Sequence, residues 1–110
     1  MIICADVLWD TFSHPGLINT LLALLALTSK SRIIVISGLH TGRGPLARFL
    51  RLAAFRGLVP DQSGLREYEV GGAERNWDED RDDGDIRERN RWTLEFKLMW
   101  HESKLAEPSP

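Results

Sequence analysis

The sequence has 110 residues, of which 43% are hydrophobic and 27% are charged, and this composition fits one small soluble domain that can bury a core. Its 14 basic and 16 acidic residues give a net charge of −2 and are largely interleaved, so the charge favours neither a nucleic acid nor an anionic membrane as a partner. Cys4 is the only cysteine, which excludes an intrachain disulfide and is typical of a reducing compartment such as the cytoplasm.

Two apolar stretches lack the features of a targeting or membrane segment. Asp6 and Asp10 interrupt the first stretch, whereas a signal peptide needs an unbroken apolar run. Residues 17–27 contain Asn19 and Thr20 and are shorter than the roughly 20 apolar residues that a bilayer span requires. We therefore expect no targeting segment and a buried helix at the second stretch.

The chain opens with a strand over residues 2–8 that is apolar on both alternating faces. This pattern is typical of a strand that is covered on both sides and lies in the middle of a sheet. Pro15, after Ser13 or His14 as the cap, predicts a helix that runs to about residue 28. Residues 32–37 repeat the apolar strand pattern.

A second helix is expected to start at Pro45 and to end at Gly57. Its apolar positions recur at helical spacing and predict one buried face, formed by Leu46, Phe49, Leu50 and Ala53.

Two more strands follow, over residues 65–70 and 91–100, and the last one alternates with period two. Residues 75–90 between them are dense in charge and are expected to form a solvated surface loop or a short exposed helix, and residues 101–110 a flexible tail. The predicted fold class is α/β, in the order strand, helix, strand, helix, strand, strand, within one unit over residues 1–100.

Asp6, Trp9 and His40 are candidate site residues, because all three fall near the carboxyl ends of the first two strands. A helical crossover makes these strands parallel, so their carboxyl ends meet at one edge of the sheet. Asp6 can orient or deprotonate a substrate amine, or bond the amides of the following turn. Trp9 can line a substrate pocket or cover the following helix. His14 and His40 fit turn positions, and three widely spaced histidines without a second cysteine predict no metal site.

Residues 42–47 match the dinucleotide-binding pattern Gly-x-Gly-x-x-Ala, with Glu67 or Glu69 near the place of an acidic ribose partner. Four loop residues separate Ser37 from Gly42, whereas the first glycine of that pattern should follow the strand directly. The spacing therefore weighs against nucleotide binding.

The acidic run at residues 76–85 was compared with a calcium-binding loop. With Gly84 in the sixth position, Arg81 occupies a ligand position and Asn90 replaces the terminal glutamate. The sequence therefore predicts a charged loop and no calcium site.

Three stretches together resemble the C-terminal half of a seven-stranded methyltransferase that depends on S-adenosylmethionine. They are Ala-Asp-Val-Leu-Trp at 5–9, Gly-Leu-His-Thr-Gly-Arg at 38–43 and Glu-Arg-Asn-Arg-Trp at 88–92. More narrowly, they are similar to the fungal nicotinamide N-methyltransferase-like group, which is related to lysine methyltransferases that modify proteins including elongation factor 1-alpha. The similarity covers about residues 2–100.

The resemblance implies a partial Rossmann-like sheet whose last strand is antiparallel. The first strand here would be the fourth of seven, and its second neighbour would belong to N-terminal strands that this sequence lacks. Ala5 would line the S-adenosylmethionine site, and Asp6 and Trp9 would lie beside the substrate amine. The loops that hold most of the cofactor in the family have no counterpart in this sequence.

The function that the resemblance implies is methyl transfer to an amine, either a protein lysine or N-terminus or a nicotinamide-like small molecule. The chain by itself is expected to lack the cofactor-binding half, so a truncated gene model, a natural short protein and one part of a split enzyme all stay open. The alternatives are a non-catalytic remnant or assembly module that self-associates through an open sheet edge, and a nucleotide-binding protein.

Overall fold

A computed structural model describes residues 1–5, 8, 10–39, 42–82 and 84–105. Within these ranges the chain is a mixed α/β structure with one six-stranded sheet and four α-helices. The strands are β1 (Ile2–Ala5), β2 (Ile33–Gly38), β3 (Leu58–Pro60), β4 (Arg66–Glu69), β5 (Glu74–Asn76) and β6 (Trp92–Trp100). The helices are α1 (His14–Leu24), α2 (Gly44–Phe55), α3 (Ile86–Asn90) and α4 (Glu102–Leu105), and a 3-10 turn (Thr11–Ser13) precedes α1.

The sheet has the strand order β1-β2-β6-β4-β5. β1 and β2 are parallel, and every other pairing is antiparallel. β6 is the central strand, because β2 pairs along one edge of it while β3 and β4 lie in line along the other. The long last strand therefore connects the parallel half of the sheet to the antiparallel half.

The alternating pattern of β6 is confirmed, since one face of the strand is buried along its whole length. The buried residues are Trp92, Leu94, Phe96, Leu98 and Trp100. They form one hydrophobic core with the buried positions of β2, α1 and α2. Both long helices therefore cover the same face of the sheet, and within the described residues the opposite face is half-exposed or exposed.

Helix α2 follows the prediction closely. Leu46, Phe49 and Ala53 are buried and Leu50 is half-buried, and the helix ends two residues before Gly57. Gly57 has a φ of +92°, a left-handed conformation that favours glycine.

Helix α1 begins as predicted but is shorter than expected. Ser13 is its N-cap residue, and the chain turns extended at Leu25. The carbonyl of Ala26 accepts a hydrogen bond of 2.9 Å from the indole nitrogen of Trp100, which holds the segment after the helix against β6. Only one side of the helix is buried, and Leu24 is 69% exposed.

Within the described residues β1 lies at the edge of the sheet and its open face is not covered, although both of its alternating faces are apolar. β1 pairs with β2 alone, and Ile3 is 66% exposed on the open face. β2 is likewise buried on one face only. Two-sided apolar character in the sequence therefore coincides here with a strand at the edge of the sheet.

The charged segment contributes more structure than expected. It holds the end of β5 and the short helix α3, and Trp77 packs against the core. Residues 102–105 of the expected tail form the helical turn α4, and Leu105 also contacts the core. None of the helices described is long and apolar enough to cross a membrane.

Candidate functional site

The predicted site residues Asp6, Trp9 and His40 lie outside the residues that the structure describes. Ala5, the predicted cofactor contact, is the last residue of β1 and is exposed. β1 and β2 run parallel, so their carboxyl ends do share one edge of the sheet. The grouping of the three side chains at that edge stays a prediction.

Leu39 and Gly42 lie between β2 and α2, and each is held by a backbone hydrogen bond. The amide of Leu39 donates to the carbonyl of Trp92 at 3.3 Å, and the amide of Gly42 donates to the carbonyl of Leu39 at 2.8 Å. Gly42 has a φ of +87°, which explains a glycine at this position. Arg43 is the N-cap residue of α2, and its side chain is buried.

Arg43 forms a buried ion pair with Glu67 of β4. Its two terminal nitrogens donate to the two carboxylate oxygens, Nη1 to Oε2 at 2.8 Å and Nη2 to Oε1 at 2.7 Å. The side chains are 4% and 0% exposed. Glu67 is opposite Leu94 and therefore faces the core, so the parallel hydrogen bonds of the guanidinium compensate a carboxylate that is removed from water.

Two more arginines surround the same carboxylate. Arg75 of β5 donates to Oε1 of Glu67 at 3.1 Å, and Arg81 lies 4.0 Å from Oε2. Two aromatic rings flank the group, with the guanidinium of Arg75 at 3.6 Å from the ring centre of Trp92 and that of Arg43 at 5.1 Å from Trp77. This cluster ties α2, β4, β5 and the charged segment together.

The cluster includes Glu67, one of the two acidic residues considered as the ribose partner of a nucleotide. Glu67 is fully buried and saturated by arginines, so its carboxylate has no lone pair facing solvent for a ribose. The alternative partner, Glu69, accepts a hydrogen bond of 2.9 Å from Arg91. The geometry therefore gives Arg43, which follows Gly42, a structural role.

His14 begins α1 as predicted, and its complete burial was not foreseen. Its Nε2 lies 2.8 Å from the carbonyl oxygen of Leu8 and must donate to it, because a carbonyl only accepts. The ring packs edge-on against Phe49 at 5.4 Å, and Nδ1 has no hydrogen-bond partner. The hydrogen bond from His14 therefore holds the backbone of Leu8 to the start of α1, and the buried ring is not exposed to a ligand.

Cys4 is buried in the core, as the sequence indicated. Burial raises the pKa of its thiol, so the neutral form is favoured. A thiol in this form is a poor nucleophile, which fits a structural role.

A shallow depression of about 160 Å³ lies on the open face of the sheet. Its charged and aromatic walls are Arg66, Tyr68, Glu95 and Lys97. Arg66 is paired with Glu74 at 2.7 Å. The depression lies along β4 and β6, and β2 separates these strands from β1 in the sheet.

Two carboxylates of the acidic run bond to backbone amides that are close to them in sequence. Asp78 accepts the amide of Asp80 at 3.0 Å, and Asp85 accepts the amide of Glu88 as the N-cap of α3. These carboxylates hold turns of their own backbone. Across the described residues no group of three His, Cys, Asp or Glu side chains is arranged to hold a metal ion.

Comparison of the chain with protein-family models, with curated proteins and with solved structures finds no significant match.

Proposed function

We propose that this chain supplies the C-terminal half of a Rossmann-like domain that methylates an amine with S-adenosylmethionine. The observation that supports the proposal is the strand order, in which the parallel pair β1-β2 is followed by β6, antiparallel between β2 and β4. The resemblance implies an antiparallel last strand, and β6 has this orientation.

The proposed roles belong to residues at the carboxyl edge of β1. A substrate amine must be neutral and aligned before it can be methylated, so the residues beside it position and deprotonate it. Asp6 holds the amine and accepts its proton, and Trp9 shapes the channel. The substrate is a protein lysine or N-terminus, or a nicotinamide-like small molecule.

The described residues do not fit the cofactor by themselves. Ala5 offers one methyl group and no polar atom of its side chain, and the guanidinium of Arg43 is bound to Glu67. Groups for the carboxylate, ribose and adenine of the cofactor must therefore come from further polypeptide. The proposal assigns this chain the substrate side of the site.

Complementation tests the proposal. The chain is fused at residue 1 to the first three strands of a methyltransferase of this class, and transfer of labelled methyl groups from S-adenosylmethionine to lysine peptides and to nicotinamide is measured. We expect activity in the fusion and none in the chain alone. Asp6→Ala should lower it by about 100-fold or more, the usual effect of removing a general base.

Gly44→Ala is the matched control for that fusion, because a Cβ at Gly44 would meet nothing within 4 Å. It should leave activity unchanged. A fusion that binds the cofactor and keeps full activity with Asp6→Ala would show that Asp6 has another role. A folded, cofactor-binding fusion that transfers no methyl group to any amine would contradict the proposed function.

A second candidate is an assembly module without catalytic activity. The outer edge of β1 favours it, because this edge has no partner among the described residues and Ile3 is exposed beside it. This candidate predicts association and no methyl transfer in any fusion.

A further inference from the structure

We infer that Arg75 and Arg81 form a binding site for a small tetrahedral dianion, the chemistry of inorganic phosphate. Both arginines belong to the buried cluster around Glu67, and both reach the surface from it, with side chains 27% and 35% exposed. The site concerns the β5 end of the sheet and does not depend on the proposed methyl transfer.

The cluster holds more positive than negative charge. Glu67 carries one negative charge, and Arg43 already donates to both of its oxygens, at 2.8 and 2.7 Å. Arg75 and Arg81 lie against the same carboxylate, and among the described residues neither has another acidic partner within 4 Å. Two guanidinium charges are therefore left without a carboxylate of their own.

Arg81 lies beside Glu67 without a hydrogen bond to it. Its Nε is 4.0 Å from Oε2, beyond hydrogen-bond distance, and this buried nitrogen has no hydrogen-bond partner in the described part of the chain. Its Nη2 donates to the carbonyl of Asn76 at 3.3 Å. Because a guanidinium has five N–H groups and a buried donor without an acceptor is unfavourable, a bound acceptor would be stabilised here.

Arg75 is fixed in position next to Arg81. Its guanidinium lies 3.6 Å from the ring centre of Trp92, and Glu67 is its partner in the β4-β5 register. The carboxylate takes Nε and Nη2 of Arg75, at 3.3 and 3.1 Å, which leaves Nη1 for another acceptor. Since both arginines approach the two oxygens of one carboxylate, their guanidinium groups are neighbours and one small ligand can contact both.

The charge and the donors of the site favour a phosphate-like dianion over a carboxylate. A dianion neutralises both excess guanidinium charges, and its oxygens accept several N–H groups in the geometry that arginine presents. Helix α2, whose N-cap residue Arg43 belongs to the cluster, has no acidic residue in its first turn. The positive end of the helix dipole therefore adds to the attraction for an anion.

Acidic side chains close to Arg81 in sequence have other partners. Asp78 and Asp82 accept backbone amides of their own turns, and Glu79 is paired with Arg51. All three acidic residues are exposed, and none lies within 4 Å of Arg81. They repel an anion only through solvent, where charge interactions are weak.

Titration of the 110-residue chain with inorganic phosphate tests the site, at constant ionic strength and in a buffer without other oxyanions. Trp77 and Trp92 contact guanidinium groups of the cluster, so tryptophan fluorescence reports binding and calorimetry gives the affinity. We expect one saturable site with a Kd at or below about 1 mM. Sulfate, which is also a tetrahedral dianion, should compete with phosphate, and chloride at equal ionic strength should not.

Arg81→Gln should weaken phosphate binding at least tenfold, because it removes the guanidinium charge that lacks an acidic partner of its own. Arg87→Gln is the matched control, since Arg87 is exposed in α3 and the change removes the same charge from the same charged segment. It should bind phosphate as the parent does. Circular dichroism of each variant shows that it is folded.

Thermal unfolding gives a second measurement, because a ligand that binds only the folded state raises Tm. Phosphate should raise the Tm of the parent and of Arg87→Gln and leave that of Arg81→Gln unchanged. A parent chain without a saturable response to phosphate would overturn the inference, as would a response that chloride reproduces. Equal affinity in the parent and Arg81→Gln, or an equal loss in Arg87→Gln, would also overturn it.

Discussion

The guanidinium of Arg43 and the carboxylate of Glu67 face each other inside the protein, joined by two parallel hydrogen bonds of 2.8 and 2.7 Å. Arg43 precedes α2 and Glu67 lies in β4, so the pair fixes the start of a helix to the distant half of the sheet. Arg75 supports the same carboxylate at 3.1 Å. Burial of the Glu67 carboxylate is tolerated only while its arginine partners are in place, because a buried carboxylate that loses its partner strongly destabilises the folded state.

Arg43→Met should lower the free energy of unfolding by about 2–4 kcal/mol, somewhat below the range for a fully broken buried pair because Arg75 stays in place. Urea denaturation measures the loss. Arg51→Met is the control, since Arg51 and Glu79 are exposed and 3.5 Å apart, and its effect should stay below about 1 kcal/mol. Equal losses in the two variants would show that burial does not set the strength of the Arg43 pair.

Gly57→Ala should destabilise the protein by about 1–2 kcal/mol, the cost of a left-handed conformation in a residue with a Cβ. Gly57 has a φ of +92°, and an added Cβ would lie 2.6 Å from the flexible side chain of Lys104. Gly44→Ala serves as the comparison, because its Cβ meets open space at the start of α2. Thermal unfolding that ranks the two variants equally would contradict this account.

β6 and α2 could be predicted from the sequence because hydrophobic periodicity alone determines them. The alternation from Trp92 to Trp100 and the helical spacing from Leu46 to Ala53 each specify one buried face. β3 and β5 have three residues each, too few to show a period. They form because β6 and β4 offer open edges to them, which is tertiary information.

The buried cluster was missed for a different reason. Glu67 stands between Arg66 and Tyr68 in a strand that reads as polar, and its partner Arg43 lies 24 residues away. Nothing in local composition separates a buried glutamate from a solvated one, so only the fold brings the groups together. Arg43 belongs to the Gly-x-Gly motif of the sequence, and in the structure its side chain pairs with Glu67.

β1 is apolar on both of its alternating faces in the sequence, and the resemblance implied that its second neighbour is absent from this chain. Its two apolar faces indicated a central strand, yet Ile3 is exposed and only β2 pairs with it in the part of the chain described. Hydrophobic periodicity indicates which faces of a strand are apolar. It does not identify the element that packs against each face. In the part of the chain described, an apolar strand therefore lies at the edge of the sheet.

Asp61 should make the stability pH-dependent in acid. Burial raises the pKa of its carboxyl, but hydrogen bonds from Ser63 and the bond and charge of Arg32 lower it by more, so the net pKa lies below its usual range. A lowered pKa in the folded state stabilises the protein above the unfolded pKa of about 4, and this contribution is lost as the pH falls through the folded value.

Asp61→Asn should therefore reduce the free energy of unfolding at pH 7 by about 1 kcal/mol, and the difference from the parent should shrink below about pH 4. Ser63→Ala should remove part of the same pH-dependent stabilisation, because it deletes one of the bonds to the carboxylate. Urea titrations at several pH values measure both effects. A difference between Asp61→Asn and the parent that grows as the pH falls would reverse the sign and exclude this explanation.

Residues 1–110 by themselves should bind S-adenosylmethionine only in the millimolar range. The elements that would hold its carboxylate, ribose and adenine have no counterpart in the sequence, and Arg43 and Glu67 are bound to each other. Each missing hydrogen-bond partner removes about 0.5–1.5 kcal/mol, and more where charge is involved. The loss of several shifts a micromolar ligand by roughly 4 kcal/mol, to millimolar affinity. Calorimetry on the chain measures this directly, with the complemented fusion as the positive control, and clear micromolar binding by the chain alone would show that its own residues complete the cofactor site.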